Sequence, residues 1–354
     1  MKVIKIGGTA LSNSKSLNKF YSNLKSLETS SIVVVSALGK LSSELKKHFN
    51  SSVISENYSP FISTFTEIRH LLCQKYLNEF DEYALQCQKK LTDIIKGCII
   101  TDEFSAQSLD KILVLGELVS SFFIYCLLKS KEIQADFLDI RGKIVTNSEF
   151  GNASPSIEIS SKNISSLSFS NLTITQGFIA SDTENRDTTM GFESSNLSAT
   201  IIAKALDCDS IDIYTKVNQI HILNPDEYET EPVTSIPYKS AKKLAICGHK
   251  MLFPGMIELA ESKTISIRYK GLDKEEETII NESVKFEYPV IINKDDSLII
   301  TPISKYSAIS VIKEYSDKID NFKYKNTNYT LEISSEDIDK LDLQNYIISL
   351  LRKH

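Results

Sequence analysis

The stretch that most narrows the fold is Ser31-Ile32-Val33-Val34-Val35, the front of SIVVVSALG at 31–39. A near-continuous β-branched run without polar alternation marks a strand buried on both faces. Such a strand needs a sheet covered by helices on either side. The first 270 residues carry the pattern for one. Residues 2–6 alternate and break at Gly7-Gly8-Thr9, and 12–28 have a helical period. Residues 41–129 read as mostly helical, and LDKILVLGELVSSFFIYCLL at 109–128 is apolar nearly all round, so it belongs in the interior. Strands follow at 133–139 and 172–180, a helix at 196–206 and further strands at 210–215 and 265–269. This alternation predicts an α/β body, a central mostly parallel sheet with helices on both faces.

Past ISIRY at 265–269, the segment GLDKEEETIINESVK (271–285) is charged, lacks a clear apolar period and reads as a linker. Beyond it the pattern gives a strand at 297–302, a helix at 306–317, strands near 320–324 and 327–333, and a helix from 335. Leu343, Tyr346, Ile347 and Leu350 share one face of that last helix. The order β-α-β-β-α predicts a small α+β domain. A chain of 354 residues is also long for one core. The expected division is 1–275 and 276–354.

Composition excludes several classes. With 42% apolar and 24% charged residues the chain has globular values. Its longest unbroken apolar run, Phe122 to Leu128, is far short of the about 18 residues that span a bilayer. MKVIKIGG puts Lys5 and two glycines where an export signal needs its apolar stretch, so a cytoplasmic location and no membrane partner are expected. Six cysteines without a C-x-x-C pair read as reduced thiols, and five histidines show no metal-ligand spacing, so no metal site is expected. A net charge of −6 without a long basic run argues against nucleic acid.

Three places could carry chemistry. Lys5 ahead of Gly7 and Gly8 suits close approach of backbone amides to phosphate, with the lysine neutralising oxygens; a surface lysine before a turn is the alternative. In TTMGFESSNLSAT (188–200), Ser and Asn precede an apolar helical run. That is equally a capped helix and an anion site. Glu117 lies in an apolar helix, which is costly unless it meets a cation, from a structural Lys or Arg or from a ligand.

Motifs in order join these places. Lys5-Ile6-Gly7-Gly8-Thr9-Ala10, VVVSALGK at 33–40, Gly116-Glu117, Asp139-Ile140-Arg141, Gly177-Phe178-Ile179 and Gly248-His249-Lys250 follow one another at family spacing. Over residues 1–270 the chain resembles the aspartate kinases of the amino-acid kinase superfamily; 285–354 more weakly resembles one regulatory ACT domain, where the family usually carries two. The resemblance implies a three-layer amino-acid-kinase fold plus an ACT-like domain. It implies ATP and Mg2+ as cofactors, and transfer of the γ-phosphoryl of ATP to the side-chain carboxylate of aspartate or a related acid. In the family this opens lysine, threonine and methionine biosynthesis.

By position, Lys5 and Lys250 match the family's phosphate lysines, Ser36 and Ser42 its hydroxyls near the reacting carboxylate, and Glu117 the receiver of the substrate ammonium. Thr9 falls on the substrate side. Gly7, Gly8, Ser195, Thr215 and Lys216 fall on the nucleotide side. Edge strands and the apolar face of the C-terminal helix suggest a homodimer.

The chain departs from the family at the loop. Phe192 stands for the Arg that would fork onto the substrate's α-carboxylate, Asn196 for the acid that orients the lysines, and Glu193 and Ser194 for glycines. Lys216 replaces an Asp, and Asp226 reverses a phosphate-binding Arg. Two expectations stay open: a divergent carboxyl kinase, or a catalytically impaired homologue that binds a nucleotide or amino acid and regulates a partner.

Overall fold

The computed structural model describes the chain except residues 26–29, 51–54, 56–57, 170, 192, 274–275, 284–288, 295–296, 304, 317, 319–322, 328–329, 335–337 and 352–354. It divides into two compact units, Met1–Lys216 and Val217–His354.

In the first unit β1 (Lys2–Ile6) leads through α1 (Ser14–Lys25) to β2 (Ser31–Val35). Then come α2 (Leu41–Phe49), α3 (Pro60–Ser63), α4 (Gln74–Thr101), α5 (Ala106–Ser130), β3 (Asp136–Phe137), β4 (Val145–Thr146) and α6 (Ile157–Ser165). The unit ends with β5 (Leu172–Gln176), β6 (Ile179–Asp182), β7 (Asp187–Thr189), α7 (Ser195–Ala205) and β8 (Ser210–Tyr214).

The strands line up β8-β1-β2-β5-β3, each parallel to its neighbour. Every residue of β2 is buried, as its β-branched run requires. The path from β2 through α5 to β3 runs one way along the sheet, and the path from β5 through α7 to β8 runs back. Right-handed crossovers therefore put α5 and α7 on opposite faces. A smaller sheet, β4-β6-β7, stands beside this layer.

Ser105 caps α5 by accepting the Ser108 N–H at 3.1 Å. Among the described residues α5 is the one helix long and apolar enough to cross a membrane, but 83% of its apolar window is buried inside the protein, as the all-round apolar pattern predicts for a core helix. It packs on α4 through Phe65, Phe80 and Phe123, whose ring centroids lie 5.0 to 5.2 Å apart.

The second unit holds β9 (Ile220–His221), β10 (Pro232–Val233), β11 (Ser235–Pro237), α8 (Tyr238–Ile246), α9 (Pro254–Glu261), β12 (Ser266–Lys270) and β13 (Glu277–Asn281). It continues with β14 (Val290–Lys294), β15 (Ser297–Thr301), α10 (Lys305–Ser316), β16 (Lys323–Thr327), β17 (Thr330–Ser334) and α11 (Lys340–Leu351).

The linker expected at 271–285 is corrected by β13, which pairs antiparallel with β12 and parallel with β11. Thr278 and Ile280 are buried, while Glu277 meets Arg268 of the next strand at 2.7 Å. Cross-strand charge pairing thus satisfies residues that read as linker charge. The C-terminal order β-α-β-β-α is present as β15-α10-β16-β17-α11, within an antiparallel sheet β14-β15-β17-β16. The pattern reading missed β14, which adds an edge. Leu343 and Ile347 are buried on the predicted face of α11, and the Tyr315 hydroxyl of α10 donates to Asp342 at 2.8 Å.

Removing one ring of the aromatic cluster leaves a cavity that closed packing cannot refill. Phe123→Ala should lose about 3–5 kcal/mol in urea unfolding, and Leu85→Ala, at an exposed position, less than about 0.5 kcal/mol.

Candidate active site

The candidate residues of the first unit gather at the carboxyl ends of β1, β2 and β5, where open α/β sheets bind ligands. Three backbone bonds lace the loops there. Gly7 N donates to Tyr214 O (3.0 Å), Ser36 N to Ile6 O (3.2 Å) and Gly39 N to Gly8 O (3.0 Å). The loops run so close that a Cβ on Gly8 would lie 1.7 Å from Ala37 O, so only glycine fits. Gly177 N donates to Val35 O, and the start of α7 packs directly on Gly177, with Ser195 Cβ 2.6 Å from where a Cβ would stand. This contact brings Ser195 and, one residue on, Asn196 to the ends of β2 and β5.

Lys5 is buried on β1, and its Nζ would lie 3.7 Å from a Cβ on Gly7. Its ammonium has no hydrogen-bond or ion-pair partner among the described residues. Burial lowers its pKa below the usual lysine value, opposed by the charges of Glu193 and Glu117. A buried cation without a partner is a strong demand for an anion.

Glu117 faces the same end from α5. Its Oε2 accepts the Ala37 N–H at 2.6 Å, its Oε1 accepts the Ser42 hydroxyl at 3.0 Å, and Leu38 N donates to Ser120 Oγ at 3.0 Å. Glu117 therefore holds the loop after β2 rather than a structural Lys or Arg ion pair. Burial pushes its carboxyl up to about 8, against the opposing effect of the Ser42 and Ala37 bonds and the Lys5 charge.

The loop before α7 is tightly formed. Gly191 has φ +84° and Glu193 φ +69°, so Glu193 holds a backbone shape that glycine adopts freely and other residues pay about 1–2 kcal/mol to adopt. Ser194 flanks α7 with a fully buried hydroxyl that has no hydrogen-bond partner among the described residues. Ser195 and Asn196 are buried too. Phe192 lies outside the described residues. Thr9 is exposed on a 3-10 turn at Gly8–Leu11, and Thr215 and Lys216 follow β8, with Lys216 exposed.

In the second unit Lys250 is exposed on the lining of a 380 Å3 cleft whose walls include Gln219, His221, Tyr228, His249 and Ile291. Asp226, at the reversed-charge position, lines it as well. Rings, Ile291 and Ile292 beside a few polar groups suit a flat heterocycle with a charged tail.

Two residues went unsingled in the sequence. Ser194 was noted only as a lost glycine. Asp110 sits seven residues before Glu117 on the same face of α5; two acids two turns apart in an apolar helix were the available signal.

The signature described as "Amino acid kinase family" matches residues 1–269. The chain belongs to that family. Within the family it is similar to aspartokinases. It is 26% identical over 262 residues to the lysine-sensitive aspartokinase 3 of Escherichia coli K12, covering 72% of this chain and 58% of that protein. It is 25% identical over 272 residues to the bifunctional aspartokinase/homoserine dehydrogenase of Buchnera aphidicola, covering 73% and 33%. The chain thus spans one third to three fifths of the length of these relatives. It shares its fold with Escherichia coli aspartokinase III solved with aspartate and ADP: TM-score 0.75, 20% identity, over 98% of this chain and 84% of that one.

The Glu117 environment fixes a pH dependence for this family member. A carboxyl that binds its proton more tightly in the fold than in the unfolded chain makes stability fall as pH rises from the ordinary 4.5 through about 8. Glu117→Gln keeps the shape without the charge. Its unfolding midpoint, measured against pH in urea, should lose that downward slope and gain on the parent chain at the alkaline end.

Proposed function

We propose that the chain is an ATP-dependent carboxyl kinase that phosphorylates aspartate or a close relative of it. The observation that carries this reading is the unpartnered, buried Lys5 ammonium next to the buried Glu117 carboxyl at the ends of β1 and β2. One group needs an anion, and the other gains from a cation. A substrate that brings an ammonium and ATP that brings phosphate supply both.

In the step itself a side-chain carboxylate oxygen attacks the γ-phosphorus, and the bond to the leaving ADP oxygen breaks. The carboxylate is already ionised at neutral pH, so no general base is needed. The protein must align the partners and offset charge on the transferring group. Lys5 and Lys250 take the phosphate charge, each within its own unit. Gly7, Gly8, Ser195, Thr215 and Lys216 serve the nucleotide, with the unpaired Ser194 hydroxyl and the amino end of α7 as further donors. Glu117 receives the substrate ammonium, with Thr9, Ser36 and Ser42 on the carboxylate side; Phe192 holds the sequence position of the family's substrate-binding Arg. Asn196 stands where the family carries the acid that orients the lysines, and its amide would serve the Lys5 ammonium once ligand is bound.

Among the described residues no group of three His, Cys, Asp or Glu side chains is placed to hold a metal. Mg2+ would enter on the ATP phosphates, its usual mode, and would supply charge neutralisation there. We propose residues 276–354 as a single ACT-like regulatory and dimerisation domain, a homodimer as the assembly, and the cytoplasm as the location.

The purified chain with ATP, Mg2+, aspartate and hydroxylamine should yield aspartyl hydroxamate, and Lys5→Ala should cut turnover about 10²-fold or more with little loss of fold. No ATP-dependent hydroxamate from aspartate or from a panel of carboxylates would end the kinase reading and leave a regulatory binder. Phe192→Arg should lower the KM for aspartate, since a forked charge-assisted pair is worth about 1.5–3 kcal/mol; an unchanged KM would point to another acid as substrate.

A further inference from the structure

The face of α5 that carries Glu117 also carries Asp110, a fully buried carboxylate that the kinase reading does not use. Its Oδ2 accepts the N–H groups of Gly151 (2.9 Å) and Thr189 (3.0 Å), and its Oδ1 accepts the Thr189 hydroxyl at 2.6 Å. These bonds span 41 and 79 positions of sequence and join two segments that are also linked by the backbone bond from Ala153 N to Thr189 O at 2.8 Å.

Both segments lead to the loop ahead of α7. Thr189 ends β7, and two residues later comes Gly191. Gly151 is followed by Asn152, whose Oδ1 lies 2.5 Å from where a Cβ on Gly191 would be. The 151–153 turn is therefore the surface against which the start of the loop is set. Among the described residues no lysine or arginine pairs with Asp110. Its partners are two N–H groups and one hydroxyl, an arrangement that fixes direction as well as distance.

We propose that Asp110 is a positioning residue, which clamps Thr189 and the Gly151 turn, and with them the Gly191 start of the loop ahead of α7, at a fixed place relative to Glu117 by holding them to the helix that carries both acids. The proposal rests on the kinase reading for its effect on catalysis, though not for the clamp itself. Glu117 and Asp110, two turns apart on one rigid helix, each grip a different wall of the site. Helix geometry, 1.5 Å per residue, thus ties the two walls together alongside the direct loop contacts at Gly177.

Amide exchange read by mass spectrometry tests the clamp without any turnover. In Asp110→Ala the segment 186–194 should exchange at least about tenfold faster than in the parent chain. Asp110→Asn should restore most of the protection, because its amide oxygen still accepts both N–H groups and its NH2 can donate to the Thr189 hydroxyl. Thr189→Val, which removes one of the three bonds, should fall between. Phe123→Ala is the control for lost stability: folded, it should leave exchange at 186–194 as it was. If Asp110→Ala and Thr189→Val leave that segment protected, or Asp110→Asn is as loose as Asp110→Ala, the clamp is overturned.

Kinetics test the consequence. In a chain that makes hydroxamate, Asp110→Ala should lower kcat about 10²-fold, the scale of a misplaced reacting group, with Asp110→Asn recovering most of it and Phe123→Ala leaving kcat near the parent value. A looser loop with unchanged kcat and KM would overturn the positioning role. If the parent chain makes no hydroxamate, the kinase reading fails, and the exchange result alone decides on the clamp.

Discussion

The candidate site depends on carboxylates being buried in a helix that water does not reach. Glu117 is 3% exposed, and its two oxygens are met by a backbone N–H and a hydroxyl from the segment after β2. Burial penalises the charged form, and those donors oppose it only in part, since the carboxyl is still pushed up to about 8. With them the loop after β2 has one place to go, and it presses Ala37 O into the space that Gly8 leaves open. The order of cause runs from an apolar helix, to a carboxyl that must be satisfied, to two loops set against each other, to a lysine left facing an unfilled demand for negative charge.

Much of this was legible in the residues. The unbroken β-branched run gave β2, and the all-round apolar pattern gave α5 as an interior helix. The strand-glycine-glycine break placed Lys5, Gly7 and Gly8 at a strand end. What escaped the pattern did so for physical reasons. β13 is short, and its charged ends, Glu277 above all, are satisfied by Arg268 across the sheet, so local composition looked like solvent-facing chain. β14 is a short apolar run after a charged stretch, and only its partner β15 makes it a strand. Asp110 has no sequence neighbour to explain it, since its partners lie 41 and 79 positions away. The unusual backbone of Glu193 could not be read from its side chain, although a residue standing where relatives have glycine was a hint.

That loop also separates two kinds of departure from the family. Phe192 and Asn196 change which groups a ligand meets. Glu193 adds charge and holds a left-handed backbone that glycine adopts more readily, at a local energetic cost.

One feature of the second unit bears on the order in which the protein can become competent. The 380 Å3 cleft has one wall from residues 217–228 and another from Val290–Ile292 of β14, joined where Ile291 N donates to Ile222 O at 2.7 Å. The 220–231 side is gripped again from α11, where Gln344 Nε2 donates to Glu229 O at 3.5 Å and Gln344 also bonds the Thr230 hydroxyl. A chain emerging from the ribosome completes Lys250 well before it completes either brace. The cleft is therefore not a local product of the turn that carries Lys250: its walls come together only when β14 and α11 are in place beside residues 217–231.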